Sequence, residues 1–181
     1  MRADVSPLAW RLDESLREVP LDPGAFAREV DARVEAIATM KSQPARLLAM
    51  LIEAAPLLRI AGRLEESRRT ASAAIAIAEL VEDEEGALAG QLALAQVLQR
   101  EGQFGLATAL YDRLVSQARS MPSRADRLHD LLFEAGRNLF DQGLPAQAAK
   151  CFRESQALRR SMAREDLLEA SAEAIRRTSG G

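Results

Sequence analysis

The pattern of apolar and polar positions in this chain repeats every 40 or 41 residues, and three glycines mark the period: Gly62, Gly102 and Gly143. A leucine precedes each glycine by four residues and a small residue precedes it by seven, and apolar residues recur at helical spacing on both sides. Each period therefore predicts a helix, a short turn and a second helix. One such hairpin cannot bury its own apolar face, so the regular period predicts hairpins stacked on one another. The leucines are Leu58, Leu98 and Leu139, and the small residues are Ala55, Ala95 and Gly136.

Helix start and stop signals predict about nine helices. Ser6 before Pro7 and Asp22 before Pro23 are each typical of an N-cap with proline in the first turn. Apolar stripes follow, the first made of Val5, Leu8, Leu12, Leu16 and Val19 and the second of Phe26, Val30, Val34 and Ile37. Beyond a boundary at 41–44, the pattern predicts helices over about 45–60, 64–81, 84–100, 104–120, 124–140, 145–162 and 164–177.

Strand signals are absent from the sequence. No stretch combines alternation with enrichment in β-branched and aromatic residues, and aromatic residues make up only 4% of the chain. The sequence therefore predicts an all-α fold. The connections between helices are short, so sequential helices are expected to pack side by side in antiparallel order.

The turns carry signals of their own. The three glycines stand where a left-handed residue allows the chain to leave one helix and reverse tightly. The acidic run 82–85 stands where a helix begins, and negative charge there complements the helix dipole. A calcium loop is the alternative for this run, but its sequence lacks the ligand spacing and the turn glycine of such loops. Residues 179–181 have no apolar partner and are predicted to be disordered.

Further positions recur after each glycine. A large apolar residue follows by two residues in the first two periods, a small residue follows by five in all three, and an aromatic residue follows by nine in the last two. These positions hold Leu64 and Phe104, then Ser67, Ala107 and Ala148, then Tyr111 and Phe152, with Pro145 and Ala71 as the departures. Together with the small residues before the glycines, they resemble the tetratricopeptide repeat (TPR) family.

The resemblance implies a right-handed superhelical stack of antiparallel helix hairpins, that is, an α-solenoid. The period exceeds the usual one of about 34 residues and is similar to the long repeats of kinesin light chains, maltose-regulator-like activators and bacterial Rap-like regulators. The resemblance covers 45–162, with repeats at 45–81, 84–120 and 124–162. Segments 1–41 and 164–177 are expected to be a capping helix pair and a capping helix, which gives a single domain over 1–178.

Composition narrows the class of partner and the compartment. With 181 residues, 48% of them hydrophobic and 28% charged, the chain can bury one continuous core and keep a polar surface. A net charge of -3 disfavours nucleic acid, since phosphate binding needs a concentrated cationic face. The chain has no uncharged apolar run long enough for membrane insertion. A single cysteine fits a reducing compartment, so a cytoplasmic location is expected.

Catalytic and metal-binding chemistry has few candidates in the sequence. His129 is the only histidine and Cys151 the only cysteine. A Cys151–His129 pair on neighbouring hairpin helices is conceivable, but a packed, inert thiol is the favoured interpretation because Phe152 adjoins it on an apolar helix face. We therefore expect a non-enzyme that holds no metal and no cofactor.

The resemblance places the candidate binding residues on the first helix of each hairpin, facing a concave groove. These are Ala49, Ile52, Pro56 and Arg59, then Ala89, Leu92, Gln96 and Gln99, then Asp130, Phe133, Arg137 and Phe140. The carboxylate clamp known in the family needs lysine, asparagine and arginine at such positions, and here most are apolar. An amphipathic helix or apolar peptide is therefore the expected ligand. The alternative is that these side chains pack against neighbouring helices.

The sequence thus favours an adaptor or scaffold that binds a segment of a partner protein. One alternative is a sensory or regulatory repeat domain of a bacterial signalling or transcription regulator. Another is self-assembly, with a homodimer formed through the same surface or the last hairpin.

Overall fold

The computed structural model describes residues 6–40 and 43–179. It divides the chain into two compact units, Met1–Glu101 and Gly102–Gly181. The repeat predicted at 84–120 contributes its first helix to the first unit and its second helix to the second unit. Each unit is therefore described by itself.

Among its described residues, the first unit has two short strands followed by four helices. Strand β1 (Trp10–Leu12) pairs antiparallel with β2 (Glu18–Pro20), and Trp10 lies opposite Pro20. The helices are α1 (Pro23–Thr39), α2 (Pro44–Ile60), α3 (Leu64–Leu80) and α4 (Glu84–Arg100). The helix predicted between Ser6 and Val19 is wrong, and so is the expectation that the chain forms no strand.

The strand pair owes its reversal to Asp13 and Leu16. The Asp13 carboxylate accepts hydrogen bonds from the backbone N–H groups of Ser15 and Arg17, each at 2.9 Å. Leu16 adopts a left-handed conformation, with φ of 57°, and its side chain is fully buried. Leu8, Leu12 and Leu16 are four residues apart, which mimics a helical stripe, but this loop prevents a helix. Ser6 caps only a turn, accepting from the N–H of Leu8 at 3.3 Å, and Val5 lies outside the described residues.

Helices α1 to α4 begin and pack as their sequences predict. The Asp22 carboxylate accepts from the N–H of Ala25 at 2.9 Å and caps α1. Asp83 caps α4 in the same way through Gly86, also at 2.9 Å, so the predicted capping role of the acidic run is confirmed. Small residues allow close approach between helices: α2, α3 and α4 meet at a buried cluster of Ala55, Ala71 and Ala93. A second cluster, formed by Phe26, Val30 and Leu58, joins α1 to α2.

The second unit contains four α-helices among the described residues. They are α5 (Phe104–Ser120), α6 (Leu128–Asp141), α7 (Pro145–Ser161) and α8 (Leu168–Ser179). Short 3₁₀ segments, Pro122–Arg127 and Glu165–Leu167, precede α6 and α8, so both helices start four residues later than predicted. Ser179 ends α8, contrary to the predicted disorder, and Gly180 and Gly181 lie outside the described residues.

The turn glycines have the conformation that the repeat pattern predicts. Their φ angles are 79°, 75° and 73° for Gly62, Gly102 and Gly143. After α2, the N–H of Arg63 donates to the carbonyl of Leu58 at 2.9 Å, which closes the helix end in a Schellman turn. The small and aromatic residues that follow the glycines are in the core, as is Ala71, with Ser67, Ala107, Ala148, Ala71, Tyr111 and Phe152 at most 1% exposed. Leu64 and Phe104 are half-buried.

Candidate binding surface

The sequence-predicted site residues lie on α2, α4 and α6. Helix α2 packs against α4 as well as against α3 within the first unit. The first unit therefore brings eight of the predicted residues onto two adjacent helices: Ala49, Ile52, Pro56, Arg59, Ala89, Leu92, Gln96 and Gln99. The other four, Asp130, Phe133, Arg137 and Phe140, lie on α6 in the second unit.

In the first unit the predicted residues differ in accessibility. Ile52, Pro56, Leu92 and Gln96 are half-buried, and we call these four the α2–α4 surface. Arg59 and Gln99 are buried, at 3% and 5% exposure. Ile52 also packs against the core residues around Leu48 and Leu51, which fixes its position on α2. On this surface Ile52 is therefore an apolar side chain that the core beneath it holds in place.

Pro56 lies inside α2 and changes the hydrogen bonding of that helix. Proline has no backbone N–H, so it cannot donate to the carbonyl four residues earlier, which belongs to Ile52. That carbonyl loses its usual helical donor and remains an acceptor next to two half-buried side chains.

Arg59 is held by the N-terminal strand pair. Its Nη1 donates to Oε2 of Glu18 at 2.9 Å and its Nη2 donates to Oε1 at 3.0 Å, and Glu18 is itself only 7% exposed. This bidentate geometry is the strongest form of an arginine–carboxylate pair. Arg59 therefore fastens β2 to α2. Sequence reasoning missed Glu18 because the two residues are 41 positions apart and no local pattern connects them.

In the second unit Phe133 packs between helices. Its ring centroid lies 5.4 Å from that of Phe152 on α7, at an interplanar angle of 52°, and the guanidinium carbon of Arg159 lies 4.5 Å from its centroid. Phe133 is 6% exposed as a result. Arg137 is 5% exposed and pairs with Glu134 on the same helix at 3.1 Å. Asp130 and Phe140 remain half-buried.

Arg159 links three helices of the second unit. Its Nη2 donates to Oδ1 of Asp130 on α6 at 3.1 Å. Its Nη1 donates to the hydroxyl of Ser171 on α8 at 2.7 Å and to the carbonyl of Leu167 at 3.2 Å. Burial lowers the pKa of Arg159, while the hydrogen bond to Asp130 opposes that shift. Asp130 thus holds the arginine that anchors the last helix.

His129 lies beside this network. Its Nδ1 is 2.8 Å from Oδ1 of Asp130, so we assign the proton to Nδ1, which donates to the carboxylate. Nε of Arg159 lies 3.4 Å from the same nitrogen, and with that proton in place this contact is not a hydrogen bond. Burial lowers the pKa of His129, with a further lowering from Arg159 and an opposing rise from Asp130. The imidazole is therefore neutral at neutral pH.

Cys151 lies elsewhere on α7 and lines a cavity with Asn138 and Glu154. Burial raises the pKa of the Cys151 thiol, whereas a nucleophilic cysteine needs a lowered one. A cysteine–histidine pair works as thiolate and imidazolium, and both pKa shifts oppose those charge states. The directions of the two pKa shifts favour the packed thiol over the catalytic pair.

Two other kinds of site are absent from the described residues. Within 6–40 and 43–179, no three His, Cys, Asp or Glu side chains are grouped so that they could hold a metal ion. In the same ranges, none of the helices combines the length and apolar character needed to cross a bilayer.

Comparison with known proteins identifies the fold. No protein-family model matches the chain, and no curated protein does. Two of the solved structures that it resembles come from a Podosopora anserina protein described as a kinesin light chain with nearly identical TPR-like repeats. One has a TM-score of 0.62 at 21% identity, covering 86% of this chain and 77% of that chain. The other has a TM-score of 0.57 at 19% identity, covering 86% and 88%. The chain therefore has a TPR-like helical repeat fold, as its motifs predict.

Proposed function

We propose that this protein is a protein-interaction scaffold whose α2–α4 surface binds an apolar or amphipathic segment of a partner. The observation that carries the proposal is the packing of α2 against α4, which are the first helices of two successive hairpins. Each of them carries a half-buried apolar side chain, Ile52 on α2 and Leu92 on α4. Two adjacent helices form a shallow groove, and amphipathic peptides bind such grooves through a few apolar anchors. Covering these side chains stabilises a complex by roughly 25 cal/mol for each Å² of apolar area removed from water.

Polar groups beside the anchors give the bound segment its orientation. Gln96 on α4 offers both a donor and an acceptor, and the Ile52 carbonyl offers an acceptor that Pro56 leaves without its helical donor. Arg59 and Gln99 are buried beneath this surface and act as its support rather than as direct contacts. In the second unit, Asp130 and Phe140 are the predicted residues that a partner can reach, with Phe133 and Arg137 packed behind them.

The proposal specifies a protein partner and a binding role. A net charge of -3 supports a protein over a nucleic acid, because counterion release at phosphates requires clustered cations. The neutral state of both His129 and Cys151 supports binding over catalysis. We place the protein in the cytoplasm, on the basis of its single free cysteine.

A peptide-display selection tests the surface. Random peptides are selected for binding to the whole protein, and the affinity of the enriched peptides is measured for Ile52→Asp and Leu92→Asp. We expect enriched peptides to carry apolar residues at helical spacing, and each substitution to weaken binding at least about tenfold, as loss of a central anchor does.

Matched controls decide between surface and stability effects. Leu80→Asp and Leu106→Asp introduce the same charge at side chains that are 76% and 60% exposed on α3 and α5, and should leave binding unchanged. Phe133→Asp is not a suitable test, because that ring is part of the core. If Ile52→Asp and Leu92→Asp keep wild-type affinity while their circular dichroism and unfolding midpoints are normal, the α2–α4 surface is not the binding site.

A further inference from the structure

The N-terminal strand pair leaves the outer edge of β1 without a neighbouring strand in the described part of the chain. At the end of β1 the N–H of Asp13 points toward β2 and donates to the carbonyl of Arg17 at 2.8 Å. Along an antiparallel ladder, residues whose main chain faces the partner strand alternate with residues whose main chain faces away. The main-chain groups of Trp10 and Leu12 therefore point outward, and the edge offers two N–H donors and two carbonyl acceptors.

The other edge of the sheet, on β2, is less able to accept a strand. Pro20 has no N–H to donate, and β2 packs against α2, where Glu18 pairs with Arg59. On β1, by contrast, no turn, cap or side-chain hydrogen bond of the described residues uses the main chain of Trp10 or Leu12. Unpaired main-chain groups on an edge strand are a template for a further strand. The open edge of this sheet is thus the edge of β1.

The side chains of β1 give this edge a specific chemistry. Trp10 is 47% exposed, and the half-buried Leu12 lies on the same face of the sheet, because side chains alternate along a strand. Arg11 lies on the opposite face, where it is exposed and forms no ion pair with any described residue. A strand beside β1 places one side chain next to each of these three. Apolar residues match Trp10 and Leu12, and an acidic residue matches Arg11, because opposite charges across neighbouring strands attract.

A second copy of this chain fits the edge poorly. If β1 paired with β1 of another copy so that Trp10 lay opposite Leu12 at both ends, Arg11 would lie directly opposite its own counterpart. Like charges in that position are destabilising. A shift by one pair in either direction would require Leu8 or Glu14 to extend the strand, and both of these residues lie in turns. The charge of Arg11 therefore favours a partner of different sequence.

We propose that the edge of β1 binds an extended segment of a partner protein in which an acidic residue stands between two apolar residues. The segment forms a third strand antiparallel to β1, the more stable of the two orientations. Trp10 and Leu12 each exchange two main-chain hydrogen bonds with the apolar residues, and Arg11 faces the carboxylate. The edge shares no residue with the α2–α4 surface, so it is a second interaction site on this scaffold.

Fluorescence of Trp10 tests the proposal, because the chain has no other tryptophan. The probe is the peptide Ser-Thr-Val-Glu-Val-Thr-Ser, acetylated and amidated at its ends, which is titrated into the whole protein up to millimolar concentration. We expect a saturable shift of the emission to shorter wavelength, because the added strand removes water from the half-exposed indole. Absence of a saturable shift would overturn the proposal.

N-methylated peptides test the main-chain hydrogen bonds. Methylation of both valine N–H groups, which face β1 in the proposed pairing, should weaken binding at least about tenfold, since two hydrogen bonds are lost. Methylation of the glutamate N–H, which points away from β1, is the matched control and should preserve binding. Equal effects of the two methylations would show that the peptide does not add a strand to this edge.

A charge exchange tests the role of Arg11. Arg11→Glu should bind the peptide with lysine in place of glutamate about threefold more tightly than the original peptide, which reverses the wild-type preference. Arg28→Glu makes the same change at an exposed position on α1 and should retain the wild-type preference. An unchanged preference in Arg11→Glu would contradict the proposal. So would a Trp10 emission shift with protein concentration alone, accompanied by a dimer in light scattering, because a second copy would then occupy the edge.

Discussion

Gly136 and Phe152 form a tight contact between α6 and α7. A Cβ placed on Gly136 would lie 2.6 Å from Cε1 and 2.8 Å from Cδ1 of the Phe152 ring, which is completely buried. Real side chains do not approach so closely, so the ring or the helix would have to move. We expect Gly136→Ala to destabilise the protein by up to about 2 kcal/mol, because overpacking costs about 1–3 kcal/mol and the gain in helix propensity returns about 1 kcal/mol. Equilibrium unfolding in urea measures the change.

Gly105 provides the matched control for that substitution. It also lies in a helix, α5, but a Cβ there would have no atom within 4 Å. Gly105→Ala should therefore raise the free energy of unfolding by about 0.5–1 kcal/mol. The same chemical change is thus expected to have opposite signs at the two sites. Equal effects at both would show that the α6–α7 contact is not as tight as described.

Two helices of the second unit end in the same left-handed turn with different residues. Gly143 follows α6 with φ of 73°, and Ala163 follows α7 with φ of 54°. In both turns the next N–H donates to the carbonyl five residues back, at 3.0 Å from Leu144 and 2.8 Å from Arg164. The Cβ of an L-residue disfavours this conformation by about 1–2 kcal/mol. We expect Ala163→Gly to stabilise the protein by about 0.5–1 kcal/mol and Gly143→Ala to destabilise it by about 1 kcal/mol. Thermal and urea unfolding of both variants test this, and a destabilised Ala163→Gly would contradict it.

At the scale of elements, the strand pair depends on one buried ion pair. Glu18→Ala leaves the guanidinium of Arg59 buried without its counter-charge, and we expect a loss of about 3–5 kcal/mol in the free energy of unfolding. Glu154→Ala breaks an exposed ion pair with Arg119, in which one guanidinium nitrogen contacts both carboxylate oxygens and the side chains are 52% and 46% exposed. This change should cost about 1 kcal/mol or less. Urea unfolding compares the two variants. If Glu18→Ala cost no more than Glu154→Ala, the strand pair would not be fastened through Arg59.

The junction of α6, α7 and α8 should respond to pH. Because the pKa of His129 is lowered in the folded state, the unfolded chain binds a proton that the native chain does not as the pH falls below about 6.5. The contribution of the neutral imidazole to stability is therefore complete above that pH and is lost progressively below it. The groups facing the ring are Asp130 and Arg159, with Arg164 nearby.

A histidine variant isolates this effect. Urea unfolding of the wild-type protein and His129→Gln is compared at about pH 7.5 and about pH 5.5, on either side of the ordinary histidine pKa. We expect the wild type to lose more stability on acidification than the variant does. Carboxylates with lowered pKa values, such as Glu173 and Asp166, titrate in both proteins and cancel in the comparison. Parallel pH profiles would show that His129 does not titrate with unfolding.

At the scale of the whole molecule, local sequence signals predicted most of the fold. Asp22, Asp83 and the turn glycines act through backbone atoms a few residues away, so their roles can be read from sequence. The strand pair could not be predicted, because strands of three residues are too short to show alternation and Leu16 imitates a helical position. The capping and turn signals that predict the helices depend only on residues nearby in the chain.

The candidate surface was predictable only in part, for a related reason. Helical periodicity places Ile52, Leu92 and Phe133 on one side of each first helix, but it does not say how far neighbouring helices cover that side. Phe133 is buried because Phe152 and Arg159 on α7 enclose it, and those contacts depend on tertiary packing. The cavity at Asn138 depends on three helices at once and leaves no mark in the local pattern.

The fitted sizes at the centre of each hairpin limit how its parts could be recombined. In the hairpin of α2 and α3, Ala55 and Ala71 share one small cluster, whereas in that of α6 and α7 a glycine accommodates a phenylalanine. A chimera that joined α6 to α3 would leave an empty space, and one that joined α2 to α7 would force a methyl group into an aromatic ring. Exchange between these two hairpins, whether engineered or natural, therefore requires that both helices of a hairpin be transferred together.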